Sequence, residues 1–401
     1  MRWCINAALL LALLAGCGRE PPRPTDLRVY FTCDTHGRLE PCGCFVGQFG
    51  GLTRLKSVLD AEAPGDALRL DIGDAAAGPE DYDFIEYGYM LKAFAAMKFD
   101  ALNIGAREAC FGAGQLREVR QKSTVPVLSA NVLDASTHQP IFDPYLIVRR
   151  GDVRIALIGV LDPRMVRNPG PGVAVGGMEA AIQHALAEVR GKSDLVLLLA
   201  FTDEETLVSL AREFYECGVI LGGKVSQPAQ QLVRANRSLI YFVTNEARAL
   251  GILQLRLFPG KPPEVTDNEV RFLNDKIPQD AAFRQMMQDY RGEIRKTRLA
   301  VDDPGYLAAD TVPGVRTAAT YVGSDKCLDC HPGAAAVWKN SAHARAFRTL
   351  AERNADADPK CIGCHTVGFG SPTGYRRGPA GAGLANVGCE SCHGPGSLHV
   401  R

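Results

Sequence analysis

Cys327-Leu328-Asp329-Cys330-His331, Cys361-Ile362-Gly363-Cys364-His365 and Cys389-Glu390-Ser391-Cys392-His393 repeat one pattern, C-x-x-C-H, three times within residues 321–401. Two thiols three positions apart can each add across one vinyl group of the same haem, and the histidine that follows falls where its imidazole can ligate the iron. Paired C-x-x-C motifs also build zinc ribbons, but a ribbon does not require histidine after every second cysteine. Histidine at all three positions selects haem. The stretch is therefore expected to be a mainly α-helical domain organised around three covalent haem c groups, with iron ligated by His331, His365 and His393. A six-coordinate iron needs a second ligand, and His343 and His399 are the two histidines that remain here. They are expected to ligate two of the irons. One iron then lacks a local distal histidine, and is either open to a small molecule or ligated from elsewhere.

The residues around the motifs narrow this further. Tyr321-Val322-Gly323, Trp338, Ser341-Ala342-His343-Ala344 leading into Leu350, and Gly388-Cys389-Glu390-Ser391-Cys392-His393-Gly394-Pro395-Gly396-Ser397 before His399 form a series. It resembles the tetrahaem cytochrome c-554 family over essentially all of 321–401. In that family the S-x-H-A histidine and the histidine after H-G-P-G-S are axial ligands, which implies that role for His343 and His399. The sequence departs from the family in having no fourth C-x-x-C-H and in stopping just after His399, so a fourth haem is expected to be absent or to lie beyond this sequence.

At 401 residues the chain is long enough for two domains, its hydrophobic fraction of 46% supports a real core, and a formal charge of +0 gives no reason to invoke nucleic acid. Met1-Arg2 followed by the apolar run 7–14 reads as a signal peptide over 1–16, too short to remain as a spanning helix. It ends in Leu14-Ala15-Gly16-Cys17, which resembles the bacterial lipobox and implies lipidation of Cys17. The mature protein is expected on the periplasmic face of the envelope, held to the membrane by lipid, with Gly18 slightly favouring the outer membrane. Residues 17–26, with three prolines between Arg19 and Asp26, read as a tether.

Over 27–260 short β-rich runs alternate with helical patterns, the signature of an α/β fold. Strands are expected at 27–32, 68–72, 101–104, 125–128, 154–160, 195–200, 219–221, 239–244 and 249–257, and helices near 51–62, 82–97, 113–121, 178–190 and 204–216. Sites collect in the loops after strands, and here those loops carry Thr32-Cys33-Asp34-Thr35-His36-Gly37, Asp71-Ile72-Gly73-Asp74, Gly105-Ala106-Arg107-Glu108, Ser129-Ala130-Asn131 and Gly222-Gly223-Lys224. As an ordered series they resemble the 5′-nucleotidase branch of the calcineurin-like metallophosphatases, which implies a four-layer α/β/β/α sandwich. The family binds two metals through D-x-H, G-D, G-N-H-[DE], a later histidine and G-H-x-H. Asp34, His36 and Asp74 keep their places as a vestigial site. Ala106 and Arg107 stand where the asparagine and histidine are expected, Ala200-Phe201-Thr202 lacks the later histidine, and Gly223-Lys224-Val225-Ser226 replaces G-H-x-H. Two carboxylates and one imidazole are a poor cage for a dinuclear centre. Arg107 and Lys224 are expected to neutralise Asp34 and Asp74 in place of metal, although the trio retains the capacity for an ion.

Thirteen cysteines are present; outside the haem motifs, Cys17 and the leader's Cys4, there remain Cys33, Cys42, Cys44, Cys110 and Cys217. The first four are expected to face the old cleft, where Arg107 and Lys224 would lower their pKa values. Cys42 and Cys44, in Pro41-Cys42-Gly43-Cys44, can cycle as a dithiol and disulfide, bind a soft metal with Cys33 and His36, or staple the loop. The run from Thr32 to Leu52 also resembles a group of UshA-like (seleno)proteins, which adds weight to a redox role. Cys217, His138 and His184 are expected to be structural. Residues 261–320 read as a helical connector and linker, without the aromatic-rich substrate domain that follows the metal domain in family nucleotidases. The reading reached is an exported lipid-anchored multihaem cytochrome exchanging electrons with a redox protein donor or acceptor. The alternatives are a subunit whose α/β domain only docks partners, and a haem oxidoreductase acting on a small nitrogen or sulfur species. Nucleotide hydrolysis is the remote alternative.

Overall fold

Strands that must be buried on both faces read as continuous apolar runs, and Leu-Val-Leu-Leu-Leu-Ala-Phe at Leu195–Phe201 is buried at every position. A computed structural model describes residues 24–41, 48–225, 227, 231–244, 246–258, 261–303 and 319–400. The leader, Cys17, the Cys42-Gly43-Cys44 stretch and most of the linker lie outside the described residues. No helix among the described residues is long and apolar enough to cross a membrane. The chain forms two units: one holds the residues up to Asp34 with Ala61–Asp74 and Lys98–Phe272, the other Thr35–Asp60, Ala75–Met97 and the chain from Leu273 onward.

The first unit contains two six-stranded sheets. Its strands are β1 (Thr25–Thr32), β2 (Leu68–Asp71), β3 (Ala101–Asn103), β4 (Val127–Leu128), β5 (Val132–Asp134), β6 (Tyr145–Arg150) and β7 (Val153–Leu161). They continue as β8 (Val173–Val175), β9 (Leu195–Phe201), β10 (Val219–Gly223), β11 (Val233–Ala235), β12 (Ser238–Phe242), β13 (Ala249–Leu257) and β14 (Glu264–Phe272). One sheet runs β14-β13-β1-β2-β3-β4 and the other β11-β12-β10-β9-β7-β6, each parallel at its centre, with antiparallel strands at one edge of the first and both edges of the second. Pairing of β14 with β13 carries the α/β fold past the boundary expected at 260. Helices at Met178–Val189 and Glu204–Glu213 pack on the second sheet, the former against β7 and the latter against β10 and β12.

One side-chain amide bridges the two sheets. Asn103 Nδ2 donates to the carbonyl of Ile72 at 3.0 Å and to that of Val160 at 2.9 Å. Gly159 leaves room for it: a Cβ there would stand 2.5 Å from Asn103 Oδ1.

In the second unit the helices are α1 (Leu52–Glu62), α2 (Asp81–Ala96), and, beyond the α/β region, α6 (Ala281–Lys296), when α3 (Ala113–Lys122), α4 (Met178–Val189) and α5 (Glu204–Glu213) of the first are counted in order. Asp280 caps α6 by accepting from the Phe283 amide at 3.0 Å. Phe283, Met287, Tyr290 and Ile294 then fall on one buried face. Tyr290 meets Tyr89 of α2 edge-on at 5.7 Å, and Tyr89 donates to Glu293 at 2.8 Å. The segment expected to connect is thus a packing spine. Short helices follow: α7 (Asp325–Leu328), α8 (Pro332–Asn340), α9 (Ala346–Ala351), α10 (Pro359–His365) and α11 (Glu390–His393). The apolar cluster here is small, Leu350, Ala355, Ile362 and Tyr375, with Phe347, Phe369 and Leu384 packed around it.

Asn103→Ala strips a donor from two buried carbonyls, so urea unfolding is expected to show a loss of about 2–4 kcal/mol. A change within error would mean that the amide is not what joins the sheets.

Candidate haem sites and the candidate metal cleft

Each C-x-x-C-H sits on a helical turn, which brings its two thiols to one side. His331 N donates to Cys327 O at 3.1 Å, His393 N to Cys389 O at 3.1 Å, and the middle motif ends α10. In all three the first cysteine is half-buried and the second exposed. His365 Nδ1 lies 2.8 Å from the carbonyl of Ala346, which fixes the ring and leaves Nε2 for a metal. The rings of His331 and His399 lie 6.0 Å apart, centre to centre, with planes 19° from parallel. Two imidazoles on opposite faces of one iron are separated by about 6 Å, roughly 2 Å of metal–nitrogen bond and about 1 Å of ring on each side. The separation of the pair matches that spacing. His343 lines a cavity shared with Cys327, His331, Cys389, Cys392 and His393. The first and third motifs thus meet, and burial together with the neighbouring Cys389 thiol pushes the Cys327 thiol up. Both local distal candidates are placed with these two motifs.

Residues to which the motif reading assigned no role hold the arrangement. Glu390, buried inside the third motif, accepts from the amides of Val322 (3.0 Å), Gly323 (2.8 Å) and Gly396 (2.7 Å). Trp338 Nε1 donates to Val387 O at 2.8 Å, and Ser324 Oγ accepts from Cys389 N at 3.1 Å. A glutamate between two haem cysteines was the available signal, since a buried carboxylate needs donors.

In the cleft, Asp34, His36 and Asp74 each bring a ligand atom within 4.8 Å of the others. All three are left-handed, as is Lys224 (φ 53°, 47°, 57° and 62°), backbone strain that the surrounding loops must hold in place. Thr244 donates to Asp34 Oδ2 at 2.5 Å. Asp74 accepts from the Arg107 amide at 2.8 Å, and its other oxygen lies 3.7 Å from Arg107 Nε. Glu108 takes the amides of Gly105 and Asp74 at 2.9 and 3.0 Å. The expected compensation by Arg107 is present at Asp74. Lys224 departs from expectation: it is exposed and in no ion pair among the described residues. Three ligand atoms so close together can hold one ion.

The thiols reverse another expectation. Cys33 is buried, with Sγ 3.5 Å from the Gly73 carbonyl, and burial with Asp34, Asp71 and Asp74 raises its pKa well above the ordinary value. Burial, Asp74 and Glu108 raise that of Cys110 as well, against the opposing Arg107. Neither is an activated thiolate. Buried Cys217 is pushed up to about 12, consistent with a structural thiol. His184 pairs with Glu188 at 2.9 Å on an exposed helix face, and His138 occupies a left-handed turn position. Cys42 and Cys44 fall outside the described residues.

A family model described as cytochrome c554 and c-prime matches residues 326–394. Cytochrome c-554 of Nitrosomonas europaea is 41% identical over 93 residues, covering 20% of this chain and 40% of that protein. A 5′-nucleotidase of Vibrio cholerae is 27% identical over 216 residues, covering 49% of this chain and 38% of that protein. The chain is a fusion of a 5′-nucleotidase-like domain and a cytochrome c-554-like domain. NAD nucleotidase of Haemophilus influenzae superposes with a TM-score of 0.59 at 17% identity, covering 68% of this chain and 60% of that one, a likeness of fold. The fusion spans well under half the length of the two relatives. Its C-terminal part is a c-type cytochrome domain, which implies covalent haem c, and its sheets are those of the metallophosphatase-like fold.

Glu390→Ala removes the acceptor for three amides. Faster hydrogen exchange is expected at Val322, Gly323 and Gly396, with a stability loss of about 3 kcal/mol; unchanged protection at these amides would refute the role given to Glu390.

Proposed function

We propose that the fusion is an exported electron carrier with three haem c groups, held to the periplasmic face of the envelope, outer membrane favoured, by lipid on Cys17. Haem supplies one-electron transfer when bound. The chain's own part is to fasten it through Cys327/Cys330, Cys361/Cys364 and Cys389/Cys392, to aim His331, His365 and His393, and to present His343 and His399 as distal ligands. The observation that carries this reading is the meeting of the first and third motifs in one cavity, with His331 facing His399. Haems seated so would be close enough to pass electrons to one another and onward to a redox protein.

In the same proposal the α/β domain has lost two-metal phosphoester chemistry, supported by Arg107 at Asp74. A thiol couple at Cys42 and Cys44 would take its place, exchanging electrons with the haems, and an ion at Asp34, His36 and Asp74 would be structural. The raised pKa values of Cys33 and Cys110 concentrate any dithiol chemistry on the C-x-C pair. A second reading, reduction or oxidation of a small nitrogen or sulfur species, is favoured by one observation: His343 and His399 are both placed with the first and third motifs, leaving the His365 iron as the open one.

Purified protein should be red, with three haems per chain by pyridine haemochrome and by mass, and two in Cys361→Ala/Cys364→Ala. Colourless or zinc-containing material would end the electron-carrier reading. A high-spin signal that disappears in the same variant would support the second.

A further inference from the structure

Beside the middle haem motif the second unit buries more carboxylates than cations. Glu86 of α2 is 2% exposed, and Lys360 Nζ lies 2.7 Å from both of its oxygens. Lys360 immediately precedes Cys361. Asp358, 3% exposed, caps α10 by accepting from Lys360 N at 3.0 Å, and Asp83, 5% exposed, stands one turn before Glu86. From α6, buried Tyr290 faces Glu86 and Asp358, while Arg291 is committed to Glu40 and to the carbonyl of Arg353 at 3.0 Å. Asp358, Arg291, Lys360 and Glu40 all act on the Cys361 sulfur. The cluster thus sets four carboxylates against two cations, in contact with a haem attachment point.

The pair also has a made place. Gly37, at φ +65°, lies beneath it, and a Cβ there would stand 1.9 Å from Glu86 Oε2 and 2.9 Å from Lys360 Nζ. The glycine of the Asp34-Thr35-His36-Gly37 loop is therefore what lets a lysine of the cytochrome segment reach a glutamate of α2.

We propose that Glu86 takes up a proton when the haem at Cys361, Cys364 and His365 is reduced. The inference rests on the electron-carrier reading. One electron from a one-electron donor enters the ferric iron, and one proton from water binds a carboxylate oxygen of Glu86. No bond to the haem is made or broken. The physical cause is charge: a ferric centre favours a nearby carboxylate, and the electron removes that support, so the proton affinity of the carboxyl rises. Burial already pushes the Glu86 carboxyl up to about 7, against the pull of Lys360 and with Asp358 and Asp83 adding to it. The acid is thus poised where a modest further rise changes its charge at neutral pH. Linkage is reciprocal: if reduction favours protonation, protons favour reduction, and the potential falls as pH rises.

The test is spectroelectrochemistry of the full chain, with one-electron mediators, across a series of pH values. The middle haem's transition is the one missing in Cys361→Ala/Cys364→Ala. Its potential is expected to fall as pH rises through neutrality, bounded by the about 59 mV that a tenfold change in proton concentration imposes on a one-electron couple. Glu86→Gln should flatten that slope and leave the other two transitions in place, and the infrared redox difference spectrum should lose a protonated-carboxyl band. Lys360→Gln, which removes the opposing cation, should move the sloping window to higher pH. A flat wild-type potential, a slope that survives Glu86→Gln, or an unmoved window in Lys360→Gln where Glu86→Gln does not fold overturns the proposal while electron carriage stands. Absence of any haem transition in wild-type protein overturns both.

Discussion

The chain after residue 320 buries few large apolar side chains, and that shortage governs much of the rest. Its apolar cluster contains four buried residues, and many of its helices are only one or two turns long, too short to persist in water by propensity alone. Small domains of this kind are stabilised by disulfides, metals or bound groups. Six cysteines that form no disulfide among the described residues, arranged as three C-x-x-C-H motifs, offer covalent haem, implied by the c-type cytochrome domain, as such a group. The protein's polar bonds do what remains. Glu390 draws the entering segment Val322-Gly323 and the Gly394-Pro395-Gly396 loop onto the third motif, and Ser324 and Trp338 tie the first motif's surroundings to Cys389 and Val387.

The same shortage explains α6. A linker would be polar all round, whereas this helix buries Phe283, Met287, Tyr290 and Ile294 and sends Arg291 and Arg295 to the cytochrome segment. The second unit gains there the apolar surface that the cytochrome segment lacks, so the two sequence families share a unit instead of being joined by a loose tether.

What was legible in the sequence follows from which signals are local. The motifs, and the strands with continuous apolar runs such as Leu195–Phe201, needed no tertiary knowledge. The short strands Val132–Asp134 and Val173–Val175 were missed because they pair with each other across a long separation and carry only three residues each. Strand Glu264–Phe272 was missed because its edge position lets it be charged, Glu264, Asp267, Glu269 and Arg271 being ordinary on a half-exposed surface. The chemistry of the thiols was misjudged for a related reason. Sequence placed Cys33 and Cys110 near Arg107, but the sign of a pKa shift depends on burial and on which charge is closer, and Asp34, Asp71 and Asp74 surround Cys33. Nothing local to Gly37 announced that Glu86 and Lys360 would meet over it, because their contact joins residues 274 positions apart.

The cleft shows how protein groups can hold strained ligand loops in place. Metal-binding loops hold their ligands in left-handed conformations at an energetic cost, which bound ions offset. Asp34, His36 and Asp74 keep those conformations here. The protein itself supplies support: Thr244 on Asp34, the Arg107 amide and side chain on Asp74, and Glu108 holding the Gly105 and Asp74 amides. A guanidinium is a fixed cation that neither exchanges nor activates water, so it can balance Asp74 without supplying a nucleophile. The glycine beside His36 serves another partner, for it is over this glycine that the lysine preceding Cys361 reaches Glu86.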